Sequence, residues 1–157
     1  MAEETVKQPK KQSASGHFVL SVGRRREAVA RVRIYDGSSK TEVFGEERKR
    51  GDIIVNKKPI AEYFRITSFG PKYKKILEEA GVDGKYIISA RVTGGGLAGQ
   101  LDAIIHGIAR ALDKMDPEKY HSLMREKGYL TRDPRTRERR KVGNAGKARR
   151  KKSSPKR

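Results

Sequence analysis

The chain has no cysteine and no tryptophan among its 157 residues. Without thiols it can build neither a disulfide framework nor a zinc ribbon, and thiol chemistry is closed to it. Histidine is scarce: His17, His106 and His121 stand far apart and make no metal-ligand cluster. No apolar run approaches the roughly 18 residues that a membrane span needs. The opening residues, MAEETVKQPKKQSASG, lack the apolar stretch of a secretory signal. A cytoplasmic protein with no membrane partner is the expectation. Acid is also in short supply: 19 Asp and Glu stand against 38 Lys and Arg, a net charge of +19. Apolar residues with glycine make about 41% of the chain, below the roughly 45–50% of ordinary soluble domains. That suffices for one core and not for two.

The charge is unevenly placed. Residues 131–157 carry 13 Lys and Arg against 2 acids, a net of +11, while residues 1–130 carry a net of +8. The only apolar residues in that last stretch are Val142, Ala145 and Ala148. It cannot bury enough surface to offset its conformational entropy, so it is expected to be an extended or disordered tail when alone. A polyanion would order it, because each neutralised phosphate releases counterions. Cations at this density exceed what solubility needs.

Residues 1–16 read as a flexible extension. From residue 17 the pattern changes: Phe18, Leu20 and Val22 alternate as in a strand, until Gly23 and three arginines interrupt the run. A second strand, Val29–Tyr35, sets Ala30, Val32 and Ile34 on one face and Arg31, Arg33 and Tyr35 on the other. Asp36-Gly37 is a turn signal. Residues 38–51 read as a loop or an extended hairpin tip, and a third strand at Asp52–Asn56 is expected to return along the second. Pro59–Phe64 suits a short helical turn. Tyr73, Ile76, Leu77 and Ala80 predict a helix over 71–80, with Pro71 in its first turn and Gly81 just past its end. A strand follows at Tyr86–Val92. After Gly94-Gly95-Gly96, the stripe Leu97, Leu101, Ile104, Ile105, Ile108, Leu112 and Met115 marks the strongest helix. Another begins at Pro117, capped by Asp116 and closed by Gly128. The order predicts an α+β fold: a two-layer sandwich of a mixed sheet with helices on one face, spanning residues 17–130, with 131–157 as an extended basic tail.

Three features point to a polyanion. Glycines at 94–96 let backbone N–H groups approach a phosphate where a helix begins, and they equally suit a tight turn that needs positive φ. No Gly-Lys-Ser/Thr follows, so the turn is not a nucleotide P-loop. Arg24, Arg25 and Arg26, with Arg31 and Arg33, are expected to form a continuous patch of guanidinium forks suited to phosphate oxygens. In the tail, Gly143, Asn144, Ala145 and Gly146 interrupt the basic runs, as suits a chain threading along a nucleic-acid backbone. Enzyme signals are thin. His106 is a packed or surface histidine more readily than a base, and no nucleophile stands beside a dedicated base. No catalytic residue, metal site or cofactor is expected.

Five segments then resemble the universal ninth-protein family of the small ribosomal subunit, in its bacterial form. They are GRRREAVARVRIY (23–35), IIVNKKPIAEYF (53–64), TGGGLAGQLDAIIHGIARAL (93–112), GYLTRDPRTRERRK (128–141) and the terminus, with KARR and a final Lys-Arg. They stand in the family's order. The resemblance implies a fold shared with the bacterial RNase P protein and the GHMP small-molecule kinases. It implies a place in the head of the subunit, among its proteins and bound to small-subunit rRNA. The rRNA-contacting residues would be Arg24, Arg25, Arg26, Arg31, Arg33, Gly94, Gly95, Gly96, Thr131, Arg132, Arg135, Arg137, Arg139, Arg140, Lys141, Lys147, Arg149, Arg150, Lys151 and Lys152. The family's last Lys-Arg touches the anticodon stem-loop of peptidyl-site tRNA, a role that falls here on Lys156 and Arg157.

The chain departs from the family pattern in three places. Residues 38–51 are longer than the usual turn. Ser153-Ser154-Pro155 replaces a Gln-aromatic-Ser run, which removes a stacking ring, while Lys151-Lys152 adds charge nearby. Leu101-Asp102 replaces two small residues. Kinship with kinases is analogy alone, and no magnesium carboxylate stands beside the glycine turn.

Overall fold

The fold is that of a computed structural model, which describes residues 18–35 and 40–143. Five strands form one mixed sheet: β1 (Phe18–Arg25), β2 (Ala28–Tyr35), β5 (Ile53–Val55), β6 (Lys58–Pro59) and β7 (Ile87–Thr93), in the order β1-β2-β7-β5-β6. Strands β3 (Lys40–Val43) and β4 (Glu46–Lys49) pair as a separate hairpin. The helices are α1 (Ile60–Tyr63), α2 (Gly70–Ala80), α3 (Leu97–Met115) and α4 (Pro117–Glu126). None of the described helices is long and apolar enough to cross a membrane. The expected α+β sandwich is present: Ala28, Ala30, Val32 and Ile34 of β2 are buried beneath the helices, while Arg31 and Arg33 face the open side.

Helix α3 is the centre of the core. Leu101, Ile104, Ile108 and Leu112 are each fully buried, and each contributes about 1.5–3 kcal/mol by leaving water. Leu97, at the head of the predicted stripe, is exposed. Helix α4 adds Tyr120 and Met124, with its first turn capped by Asp116, whose Oδ1 accepts from the Lys119 N–H. Helix α2 buries the four predicted residues, and Gly81 ends it at φ +61°.

Two expectations need correction. The interruption at Gly23 is not a strand end: β1 runs through Arg25, paired residue by residue with β2. The segment after residue 51 does not return along β2, whose edges are filled by β1 and β7. Instead β5 lies parallel beside β7, Ile53 opposite Ile88 and Val55 opposite Ala90. Its Ile54 and Val55 are buried on opposite faces, Val55 in the main core and Ile54 in a small cluster with Tyr35, Val43 and Ile87. Of the two readings for 38–51, the hairpin is the one observed, over residues 40–49. The Asp36-Gly37 turn, residues 1–17 and residues 144–157 lie outside the described residues.

The alternation in β1 also hides a reversal. Phe18 and Leu20 are 42% and 45% exposed, on the open face; Ser21 and Gly23 are the residues under α3. The helix lies too close for anything larger. A Cβ on Gly23 would sit 1.9 Å from the Ala103 carbonyl oxygen and 2.4 Å from the Gly107 nitrogen. Ser21 Oγ donates to the Gly107 carbonyl at 2.5 Å. The edge of β1 is closed by three α3 side chains four residues apart. His106 Nδ1 accepts from the Arg24 N–H (3.3 Å), while Arg110 and Lys114 donate to the Val22 and Leu20 carbonyls (2.5 and 3.2 Å). An edge strand so covered cannot pair with another chain.

Candidate nucleic-acid interface

Three segments far apart in sequence meet at one end of the sheet. Arg26 and Glu27 make the two-residue turn between β1 and β2, with Arg26 at φ +50°. The glycine turn packs against it. Gly94 and Gly95 sit at φ +73° and +63°, and a Cβ on Gly94 would come 2.3 Å from the Glu27 carbonyl oxygen. A Cβ on Gly95 would meet that of Ala28 at 3.0 Å. These two glycines are therefore demanded by the turn and by its close approach to the strand hairpin. Gly96 stands in open space as the residue before α3, which has no side-chain cap.

A polar network holds this turn, and neither composition nor periodicity reveals it. Asn56 and Lys57 form the β5–β6 turn with φ +48° and +73°, the mirror-image turn that favours asparagine. The Asn56 side chain then grips β7: its Oδ1 accepts from the Val92 N–H (2.9 Å) and its Nδ2 donates to the Val92 carbonyl (3.0 Å). Tyr63 donates to Gln100 Oε1 (2.9 Å), and Gln100 Nε2 donates to the Gly94 carbonyl (3.0 Å).

The third segment is tied in by charge. Arg25, 13% exposed, reaches Asp133 (2.6 Å) and Asp102 (3.5 Å). Asp133 also takes the Arg135 guanidinium in a fork (2.5 and 2.8 Å) and the Arg135 backbone N–H (2.9 Å). The bonds from Arg135, with its charge and that of Arg25, hold the Asp133 carboxyl well below the usual carboxylate range. A cleft of about 370 Å³ opens here, lined by Arg24, Arg25, Lys72, Lys75 and Arg132 together with Asp102, Asp133 and His106. Burial, then the charge of Arg110, lowers the pKa of His106, so its imidazole is neutral at pH 7. Tyr129 closes the cleft floor. Burial and its bond to Glu79 (2.8 Å) push its phenol up to about 12.

The five arginines of the expected patch divide by the pleat. Arg31 and Arg33 stand on the open face, where cross-strand register puts Arg24 in the same row and Arg91 directly opposite Arg31. Arg91 was missed because it lies alone in a strand of apolar and small residues. Arg33 also lies over the Phe18 ring, 5.1 Å from its centroid. Arg25 turns to the helix side and Arg26 occupies the turn.

Residues 132–141 bear neither helix nor strand, and Thr131, Arg132, Arg135, Arg137, Arg139, Arg140 and Lys141 are exposed. Lys147, Arg149, Arg150, Lys151, Lys152, Lys156 and Arg157 lie outside the described residues. Among the described residues no three His, Asp or Glu side chains are placed to hold a metal ion.

Comparison with known proteins shows the family. Residues 23–157 match the family described as Ribosomal protein S9/S16. The chain is similar to the small ribosomal subunit protein uS9 of Synechocystis, at 45% identity over 77% of this chain and 80% of that one. It is 48% identical to its counterpart in Crocosphaera subtropica over the same shares. Against that of Solidesulfovibrio magneticus it is 37% identical, over 84% of this chain and 92% of the relative. With its family segments in order and this coverage, the chain belongs to the Ribosomal protein S9/S16 family.

Proposed function

We propose that the protein is anchored in the head of the small ribosomal subunit by rRNA at the converged end of its sheet. Family membership makes it a structural constituent of the small subunit of the cytoplasmic ribosome and not an enzyme. In this reading Arg24, Arg26, Arg31, Arg33 and the Gly94–Gly96 turn take the phosphates, beside neighbouring proteins of the subunit head. The tail orders along the rRNA during assembly, and Lys156 and Arg157 reach peptidyl-site tRNA.

One observation carries the reading: the GRR, GGG and LTRD segments, distant in sequence, are packed and ion-paired into one basic end. Arg25 has a different task there. Its pairing with Asp133 fastens the start of the basic segment to that end. Residues 132–141 carry six cations and two acids, so a phosphate backbone laid along them releases counterions.

Sedimentation of tagged protein through a sucrose gradient in high salt tests the placement: one copy per small subunit is expected, and tag left at the top of the gradient refutes it. If about ten phosphates are contacted, the log–log salt slope for isolated rRNA binding should be near −7. Removal of Lys156 and Arg157 should leave assembly intact and weaken peptidyl-site tRNA by about 1–3 kcal/mol. Unchanged tRNA affinity on truncated subunits refutes the tRNA contact.

A further inference from the structure

We infer that the open face of the sheet and the tip of the β3–β4 hairpin form a groove for a single-stranded RNA segment, with Phe44 stacked on a base and Arg31, Arg33 and Arg91 on its phosphates. The inference rests on the rRNA-binding reading and adds to it which form of RNA is taken, and where.

The groove encloses about 590 Å³ between Leu20 and Val22 on one side, Arg31, Arg33 and Arg91 along its floor, and Phe44 at its rim. No acid lines it. The three strands beneath, β1, β2 and β7, hold five arginines and not one Asp or Glu. Arg31 stands directly opposite Arg91. Like charges in that position repel, and nothing within the sheet offsets them. A polyanion does. Arg31 and Arg33 lie two residues apart on one strand face, roughly 7 Å, and three guanidinium forks so arranged suit successive phosphates.

Phe44 is the second, independent sign. It is the first residue of the two-residue β3–β4 turn, at φ +57°, followed by Gly45 at φ +86°. That turn favours asparagine, aspartate or glycine, and a bulky aromatic in the left-handed region is a genuine outlier. The ring belongs to neither core cluster; it is 36% exposed and lines the arginine groove. Strain held at an exposed aromatic, against a basic floor, points to a ligand with flat faces and negative charge. Unpaired RNA has both. A duplex hides its base faces and presents phosphates alone, leaving Phe44, Leu20 and Val22 without a partner.

The chain has no tryptophan, so Phe44→Trp supplies a single indole at the groove. Its emission is followed while the full chain is titrated with an eight-nucleotide oligoadenylate, an RNA duplex of the same length, and polyglutamate. Anisotropy of labelled RNA reports binding anywhere on the chain in parallel. Oligoadenylate is expected to quench the indole saturably, and the duplex to leave it unchanged even where it binds. Adding Arg31→Ser and Arg91→Ser should weaken the quenching about tenfold. If oligoadenylate binds by anisotropy without quenching, the groove assignment falls while the RNA-binding reading stands. If neither RNA binds at low salt, both fall. Quenching by polyglutamate as strong as by oligoadenylate overturns the assignment in favour of an acidic protein segment.

Phe44→Asn guards against misfolding. It suits the turn, so this variant should melt at or above the temperature of the native chain. It should also lose the preference for oligoadenylate over an abasic strand of equal length, by about 5- to 100-fold. An unchanged preference overturns the proposal.

Discussion

Replacing Gly23 by alanine should unfold this protein or nearly so, although the residue lies in an arginine run that reads as an RNA contact. The added methyl would sit 1.9 Å from the Ala103 oxygen and 2.4 Å from the Gly107 nitrogen, where ordinary contact begins at 3.4 Å. Both atoms are α3 backbone, so no side-chain rotation relieves the overlap and the helix must withdraw by about 1.5 Å. That motion breaks the Ser21–Gly107 bond and pulls His106, Arg110 and Lys114 off the β1 edge. It also loosens the layer over Leu101, Ile104, Ile108 and Leu112. Overpacking ordinarily costs about 1–3 kcal/mol; with the lost bonds the expectation is about 4 kcal/mol or more, out of a usual total of roughly 5–15. At about 4 °C per kcal/mol, Tm falls by about 15 °C. Gly99→Ala is the control. Its Cβ would meet only ordinary contacts, at 3.7 and 3.8 Å, so the helix should gain about 0.5 kcal/mol. Thermal melts by circular dichroism on the full chain compare the two. A Gly23→Ala melt within 2 °C of the native one, or equal losses in both variants, refutes the close approach of β1 and α3.

Three further outcomes follow from the site. Because burial and Arg110 lower the folded-state pKa of His106, the unfolded chain takes up that proton first. Stability should be constant above the ordinary value of 6.5, decline as pH falls below it, and lose that decline in His106→Gln, as read by Tm against pH. Asn56→Ala removes two bonds to Val92 and places alanine at φ +48°, so the urea midpoint should drop by the equivalent of about 3 kcal/mol; Asn56→Gly should recover only the backbone part. Asp133→Asn should speed tryptic cleavage after Arg132 at neutral pH. In the native chain the same contact, present above the usual aspartate range, is lost only as pH falls through the lowered folded-state value.

The charge argument and the family segments were legible along the chain, because a basic run or a glycine triplet is a local pattern. The site was legible only in pieces. The grip of Asn56 on Val92, the Tyr63–Gln100–Gly94 relay and the pairing of Arg25 with Asp133 link residues 36, 37, 6 and 108 positions apart. Contacts at such separations leave no periodic trace. Arg91 escaped notice because its importance comes from standing opposite Arg31.

The amino-acid sequence by itself determined the helices, the second and seventh strands, the two-faced character of β2 and the basic tail. Each of these follows from side-chain periodicity, end signals or composition within one short stretch. Only the tertiary structure decided where β5 pairs and which face of β1 is inside. The edges of β2 were already taken, so β5 joined β7. The apolar row Phe18, Leu20 and Val22 turned outward because α3 approaches so closely that only Ser21 and Gly23 fit beneath it. Hydrophobic burial favoured the other face of β1, and close packing against a helix backbone overruled it.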